Sequence, residues 1–164
     1  MAPWWPTKIR QFATHLGARV GASERAALAA WLTPAQLRLF ETMHPADQRH
    51  GLDVLEDLRA SGETDPDLLL AGLFHDAAKG PATGLWHRVV WSLGERYGTW
   101  VWGLARRVPG FGRALELLAG HADASAELAL AAGCSPRAAA LIRHRPGPSD
   151  RRLLEALKRA DEAH

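Results

Sequence analysis

The residues with the most chemistry to offer end the run LLLAGLFHDAAKG, where His75 and Asp76 leave an apolar stretch and Lys79 follows shortly after. An imidazole nitrogen beside a carboxylate oxygen suits Zn, Mn, Fe, Co or Ni in a site without sulfur. Four further candidate ligands, His50, His121, His144 and Asp161, lie far away in the chain. Taken singly, such histidines are more often structural than ligating. The His75-Asp76 pair carries more weight, because an acid leaving an apolar helix costs free energy unless a cation or hydrogen bonds satisfy it. Lys79 is three residues from Asp76 and four from His75, so it shares their face if the helix continues. Its ammonium can then hold a substrate phosphate as a point charge. The competing reading is an ordinary Asp–Lys surface pair.

These residues form a site only if the fold gathers them. Strand signals are nearly absent, with few β-branched runs and much Ala and Leu, while helix start and stop signals are frequent. The sequence therefore predicts an all-α chain. Pro6 opens a segment with an apolar stripe of Ile9, Phe12, Leu16 and Val20. Trp4-Trp5 precede it, which makes it a candidate for a membrane surface or a partner, though packing on the domain is the favoured reading. Ser23 is the expected cap of a second helix, and Thr33-Pro34-x-Gln36 is a capping-box start for a third. Pro45–Ala60 carries His50, with Leu52, Leu55 and Leu58 on one face and Asp53, Glu56 and Asp57 on the other. Asp65-Pro66 starts a helix that is apolar nearly all round, and so central. Two helices broken near Gly98 follow the KGPATG loop, then a long one over residues 111–132. Ser135-Pro136 starts one that runs to about His144, and Ser149 caps the last, which carries Asp161. The Trp-rich stretch 86–102 is read as core packing first, and as a pocket wall or dimer face second.

The length of 164 residues allows one domain with a core that needs no disulfide. On this reading residues 1–44 are helices packed on a metal-binding core over 45–164. A single cysteine, Cys134, beside the helix-ending Gly133, reads as inert filler and fits a reducing compartment. The N-terminal MAPWWPTKIRQ has no apolar core of a secretory signal, and no run is long enough to span a membrane, so the cytoplasm is the expectation. A net charge of +2 is no strong nucleic-acid signal. Its distribution is uneven: residues 41–76 hold nine acids and two bases, whereas residues 77–113 hold six bases and one acid. Such a division suits an anionic substrate steered to a local positive rim.

The ordered set RH at 49–50, FHDAAK at 74–79, GH at 120–121, LIRHR at 141–145 and ADEA at 160–163 resembles the HD superfamily of metal-dependent phosphohydrolases. The likeness runs over residues 45–163. It implies an HD-domain-like bundle of about seven to nine helices that binds one or two divalent ions (Mn, Fe, Zn, Ni, Co or Mg). His50, His75, Asp76 and Asp161 would hold the first ion. His121 and His144 stand where members with two metals have further ligands, which would make Asp76 the bridge. Two departures stand out: Ala78 replaces the usual glycine, and Arg145 stands where binuclear members often have a second adjacent histidine.

The resemblance implies hydrolysis of a nucleotide or related phosphate ester, with Asp76 and Lys79 in catalytic roles. Cations of this kind acidify water and clamp phosphoryl oxygens. Arg49, Arg143, Arg145 and His87 are candidate substrate contacts beside Lys79. Two other activities suit the same residues: a di-iron oxygenase, and a non-catalytic module that binds a nucleotide or partner.

Overall fold

The computed structural model describes residues 19–80, 83 and 85–164. The N-terminal stripe of Ile9, Phe12 and Leu16, with Trp4-Trp5, lies outside the described residues, as do Pro81, Ala82 and Gly84 of the KGPATG loop. Among the described residues there are nine α-helices and no strand, as the all-α reading expects. They are α1 (Ala22–Trp31), α2 (Pro34–Thr42), α3 (Pro45–Ala60), α4 (Pro66–Phe74), α5 (Leu85–Tyr97), α6 (Trp100–Ala105), α7 (Phe111–Ala131), α8 (Pro136–Ile142) and α9 (Arg151–Ala163). No helix among these residues is long and apolar enough to cross a membrane.

The caps show why the helices begin where they do. Thr33 Oγ1 accepts the Gln36 N–H at 3.3 Å, and the Gln36 side chain accepts the Thr33 N–H at 3.0 Å, closing a reciprocal box on α2. Asp65 Oδ1 accepts the amides of Asp67 and Leu68, with Pro66 pre-set at the first position of α4. Three boundaries differ from the sequence reading. Gly21, not Ser23, caps α1, because the Glu24 carboxylate reaches back to the Gly21 N–H at 2.6 Å. A 3-10 turn over Pro148–Asp150 delays the last helix to Arg151. α8 ends at Ile142, because the chain turns left-handed at His144, where φ is 57°.

α4 is the hub. Its Leu68, Leu69, Ala71, Leu73 and Phe74 are all buried, and it packs against α3, α7, α8 and α9. Those helices contribute Val54, Leu55 and Leu58, the Ala138-Ala139 pair with Leu141 and Ile142, and Leu153 and Leu157. Burial of this kind stabilises by about 1.5–3 kcal/mol per large side chain. Truncating Leu73 to Ala would cost about 2–5 kcal/mol. The helices α3 and α4 touch backbone to backbone. A Cβ on Gly51 would stand 2.5 Å from the Leu73 carbonyl oxygen, so only glycine permits that approach.

α5 and α6 form a hairpin that turns at Gly98, where φ is 108°. Trp91 stacks on Trp102 with ring centroids 4.6 Å apart, and Trp102 Nε1 donates to the Trp91 carbonyl. The Trp102 indole fills the space a side chain at Gly94 would need. The hairpin leans on α7, and none of its described side chains belongs to the main core cluster. The aromatic stretch is thus not packed into the core as expected: the half-buried Trp91 and Trp102 stack on each other beside it, and Trp86 and Trp100 stand exposed.

Candidate metal centre

Three elements converge at the end of α4. α3 delivers His50, the turn after α4 delivers His75 and Asp76, and α9 delivers Asp161. His50 Nε2 lies 3.2 Å from His75 Nε2 and 2.9 Å from Asp161 Oδ1. His75 Nε2 lies 3.3 Å from Asp161 Oδ1 and 3.6 Å from Asp76 Oδ2, and His50 Nε2 lies 3.8 Å from Asp76 Oδ2. Ligands about 2.0–2.2 Å from one cation stand about 3–3.5 Å from each other. Two imidazoles and the Asp76 carboxylate, which gather within 4.8 Å of one another, suit a divalent ion of the borderline or hard kind, and the Asp161 carboxylate stands against both imidazoles.

The tautomers strengthen the fit. His75 Nδ1 is 2.9 Å from the Gly72 carbonyl, which can only accept, so Nδ1 carries the proton. A neutral His75 therefore turns a bare Nε2 lone pair towards Asp76 and Asp161, which are themselves acceptors. Acceptors converging on one point need a positive charge between them. A ring nitrogen pinned by a backbone carbonyl is also how ligating histidines are oriented.

Burial disfavours the charged form of His75, yet the carboxylates of Asp76 and Asp161 outweigh it and push the imidazole up to about 9. Asp76 is only 2 % exposed. Burial would raise its pKa, but His75, Lys79, His50 and His121 hold it far below the usual carboxylate range. Asp161 is depressed against its own burial by hydrogen bonds from His50 and His75. A proton and a divalent cation compete for the same place.

Asp76 has a second side. Its Oδ1 is buried without a hydrogen-bond partner among the described residues and faces His121 Nε2 at 3.6 Å. His121 is oriented like His75, with Nδ1 against the carbonyl of Leu118 at 2.5 Å. His144 lies within the electrostatic reach of His75, Asp161 and His121, and burial with the Lys158 charge holds its pKa below the ordinary value. Lys79 follows no helical continuation, since α4 stops at Phe74, yet its Nζ donates to Asp76 Oδ2 at 2.5 Å.

The other predicted contacts fall elsewhere. Arg49 is tied to Glu24 at 2.5 Å and to Asp53 at 2.7 Å. Arg143 pairs with Glu127 and Asp123, and the exposed Arg145 lies 3.6 Å from Asp123. His87 packs edge-on against Phe111 at 4.5 Å, with its Nδ1 buried and unpartnered among the described residues. Cys134 is buried, its thiol pushed up by that burial, with Gln36 Nε2 donating to Sγ at 3.7 Å.

Sequence reasoning overlooked the supports. The Ser125 hydroxyl, wholly buried, accepts the Ala78 N–H at 3.0 Å and fixes the turn that carries Asp76 and Lys79. The signal for it was a small polar residue next to Ala126 on the apolar face of α7. Searches against protein-family models, curated proteins and solved structures found no match.

Proposed function

We propose that this chain is a metal-dependent phosphohydrolase of the HD type, acting on a nucleotide or related phosphate ester. The observation that carries this reading is the gathering of His50 Nε2, His75 Nε2 and Asp76 Oδ2 within 3.2–3.8 Å of one another, with Asp161 Oδ1 at 2.9 and 3.3 Å from the two imidazoles and the Lys79 ammonium on Asp76. These four side chains would hold one divalent ion, and the orphaned Asp76 Oδ1 with His121 and His144 would serve a second. A divalent cation supplies Lewis acidity towards a phosphoryl oxygen and lowers the pKa of water. Asp76, with Oδ2 towards His50 and His75 and Oδ1 towards His121, would balance the charge of both ions. Lys79 is placed to exchange its contact with Asp76 for a substrate phosphate.

The test is phosphate or pyrophosphate release from a broad ester panel with Mn, Co, Ni, Mg or Fe. The comparison protein is the His75→Ala/Asp76→Ala double variant. Release by the wild type alone supports the reading. A panel that shows nothing above the double variant ends it, and dioxygen consumption by an iron-loaded protein would replace it with oxygenase chemistry.

A further inference from the structure

The α5–α6 hairpin presents a surface that the core does not use. Trp102 turns inward onto Trp91. Residues two apart on a helix point about 200° apart, so Trp100 and Leu104 turn the opposite way. They are 66 % and 57 % exposed, one helical turn from each other, and Val108 extends the stripe into the following turn at 50 % exposure. Trp100 is held in place, because its Nε1 donates to the Tyr97 carbonyl at 2.8 Å. Cations flank the stripe: Arg96, Arg106 and Arg107 are exposed, and no Asp or Glu occurs between residues 96 and 115.

We propose that this face docks on an anionic lipid bilayer, lying in the interface without crossing it. An indole and two aliphatic side chains on one helical face, rimmed by arginines, match what the headgroup boundary of such a bilayer offers. Charge argues against the other occupants. A second copy meeting the face about a two-fold axis would set arginines against arginines. The chain's own first 23 residues hold Lys8, Arg10 and Arg19 and no acid, so they too would be repelled. The same pairing of tryptophan with basic residues recurs in sequence at Trp4-Trp5, Lys8 and Arg10.

The experiment is sedimentation of the full chain with vesicles of phosphatidylcholine alone or mixed with phosphatidylglycerol, at low and high salt. Binding is expected to the mixed vesicles, weakened by salt. It should fall roughly tenfold or more in Trp100→Ser/Leu104→Ser and in Arg106→Ser/Arg107→Ser. Both variants alter exposed side chains, and circular dichroism confirms that they fold. No binding to the mixed vesicles overturns the proposal, as does binding that both variants retain. A dimer in solution that Trp100→Ser/Leu104→Ser dissolves overturns it too, by making the face an interface between copies.

Discussion

Gly51 of α3 lies so close to Leu73 of α4 that a methyl group on it would stand 2.5 Å from the Leu73 carbonyl oxygen. The contact sits one residue from His50 and two from His75. It sets the approach of the two helices that puts the imidazole nitrogens 3.2 Å apart.

The variant Gly51→Ala tests that relationship. Alanine is the better helix former by about 1 kcal/mol, so a site with free space would be stabilised. Here the opposing atom is backbone and the helices must separate, at about 1–3 kcal/mol. Urea unfolding should show net destabilisation, and titration with Mn(II) should show weaker binding. A variant more stable than wild type with unchanged metal affinity would remove Gly51 from any role in placing His50.

Lys79 separates metal binding from chemistry. Its Nζ is 2.5 Å from Asp76 Oδ2, on the carboxylate proposed to hold the ion. Removing the ammonium in Lys79→Met takes away a positive charge that competes with a cation, so metal content should hold or rise. Phosphate release, once a substrate is found, should drop on the order of 10²-fold, as when one charge-stabilising donor is lost. Unchanged kcat with intact metal content would reduce Lys79 to an ordinary ion-pair partner.

His144 occupies a position that favours glycine. Its N–H bonds the Leu141 carbonyl at 3.0 Å and the Arg145 N–H bonds the Ala140 carbonyl at 2.9 Å, the pattern that closes a helix through a left-handed residue. A non-glycine there carries roughly 1 kcal/mol of strain, which motivates a role beyond the turn. In His144→Gly the relief is countered by a looser unfolded chain, by about 0.4–1 kcal/mol. Stability should stay near wild type while the amount or affinity of bound metal falls. Metal binding identical to wild type would leave His144 without a part in the centre.

How much of this was legible in the chain depends on whether the cause was local. The Thr33 and Asp65 caps, the break at Gly98 and the all-apolar α4 are local, and they stand where the sequence put them. His50, His75 and Asp76 do come together, a gathering that the resemblance implied and no local signal could have shown. Non-local causes escaped: Ser125 touches Ala78 across 47 residues, and Gly51 matters only through what α4 brings to it. Arg49 shows the same limit. Its sequence position beside His50 suggested a substrate contact, but adjacent helical residues point about 100° apart. Its guanidinium went to Glu24 and Asp53.

The acid end of the stability curve should be set in part by Asp65, the residue that starts the helix leading to His75. One carboxylate oxygen caps α4, and the other accepts from Arg137 at 2.7 Å. Burial would raise its pKa, but Arg137 and the capping amides hold it below the ordinary 3.8. A carboxyl whose folded pKa is depressed stabilises the fold above its unfolded pKa and loses that contribution as pH falls through the folded value. The contribution of the Asp65 charge should therefore be full at neutrality and be lost below about pH 4. Asp65→Asn keeps a capping oxygen and removes the charge. It should lose about 0.5 kcal/mol at pH 7, where a partly exposed ion pair counts for little, and the gap to wild type should close by pH 2. Asp65→Ala loses the cap as well, about 1 kcal/mol more at every pH. Urea unfolding at pH 7 and pH 2 measures both, and an Asn variant that lags wild type equally at the two pH values would exclude the charge of Asp65 as a source of the acid decline.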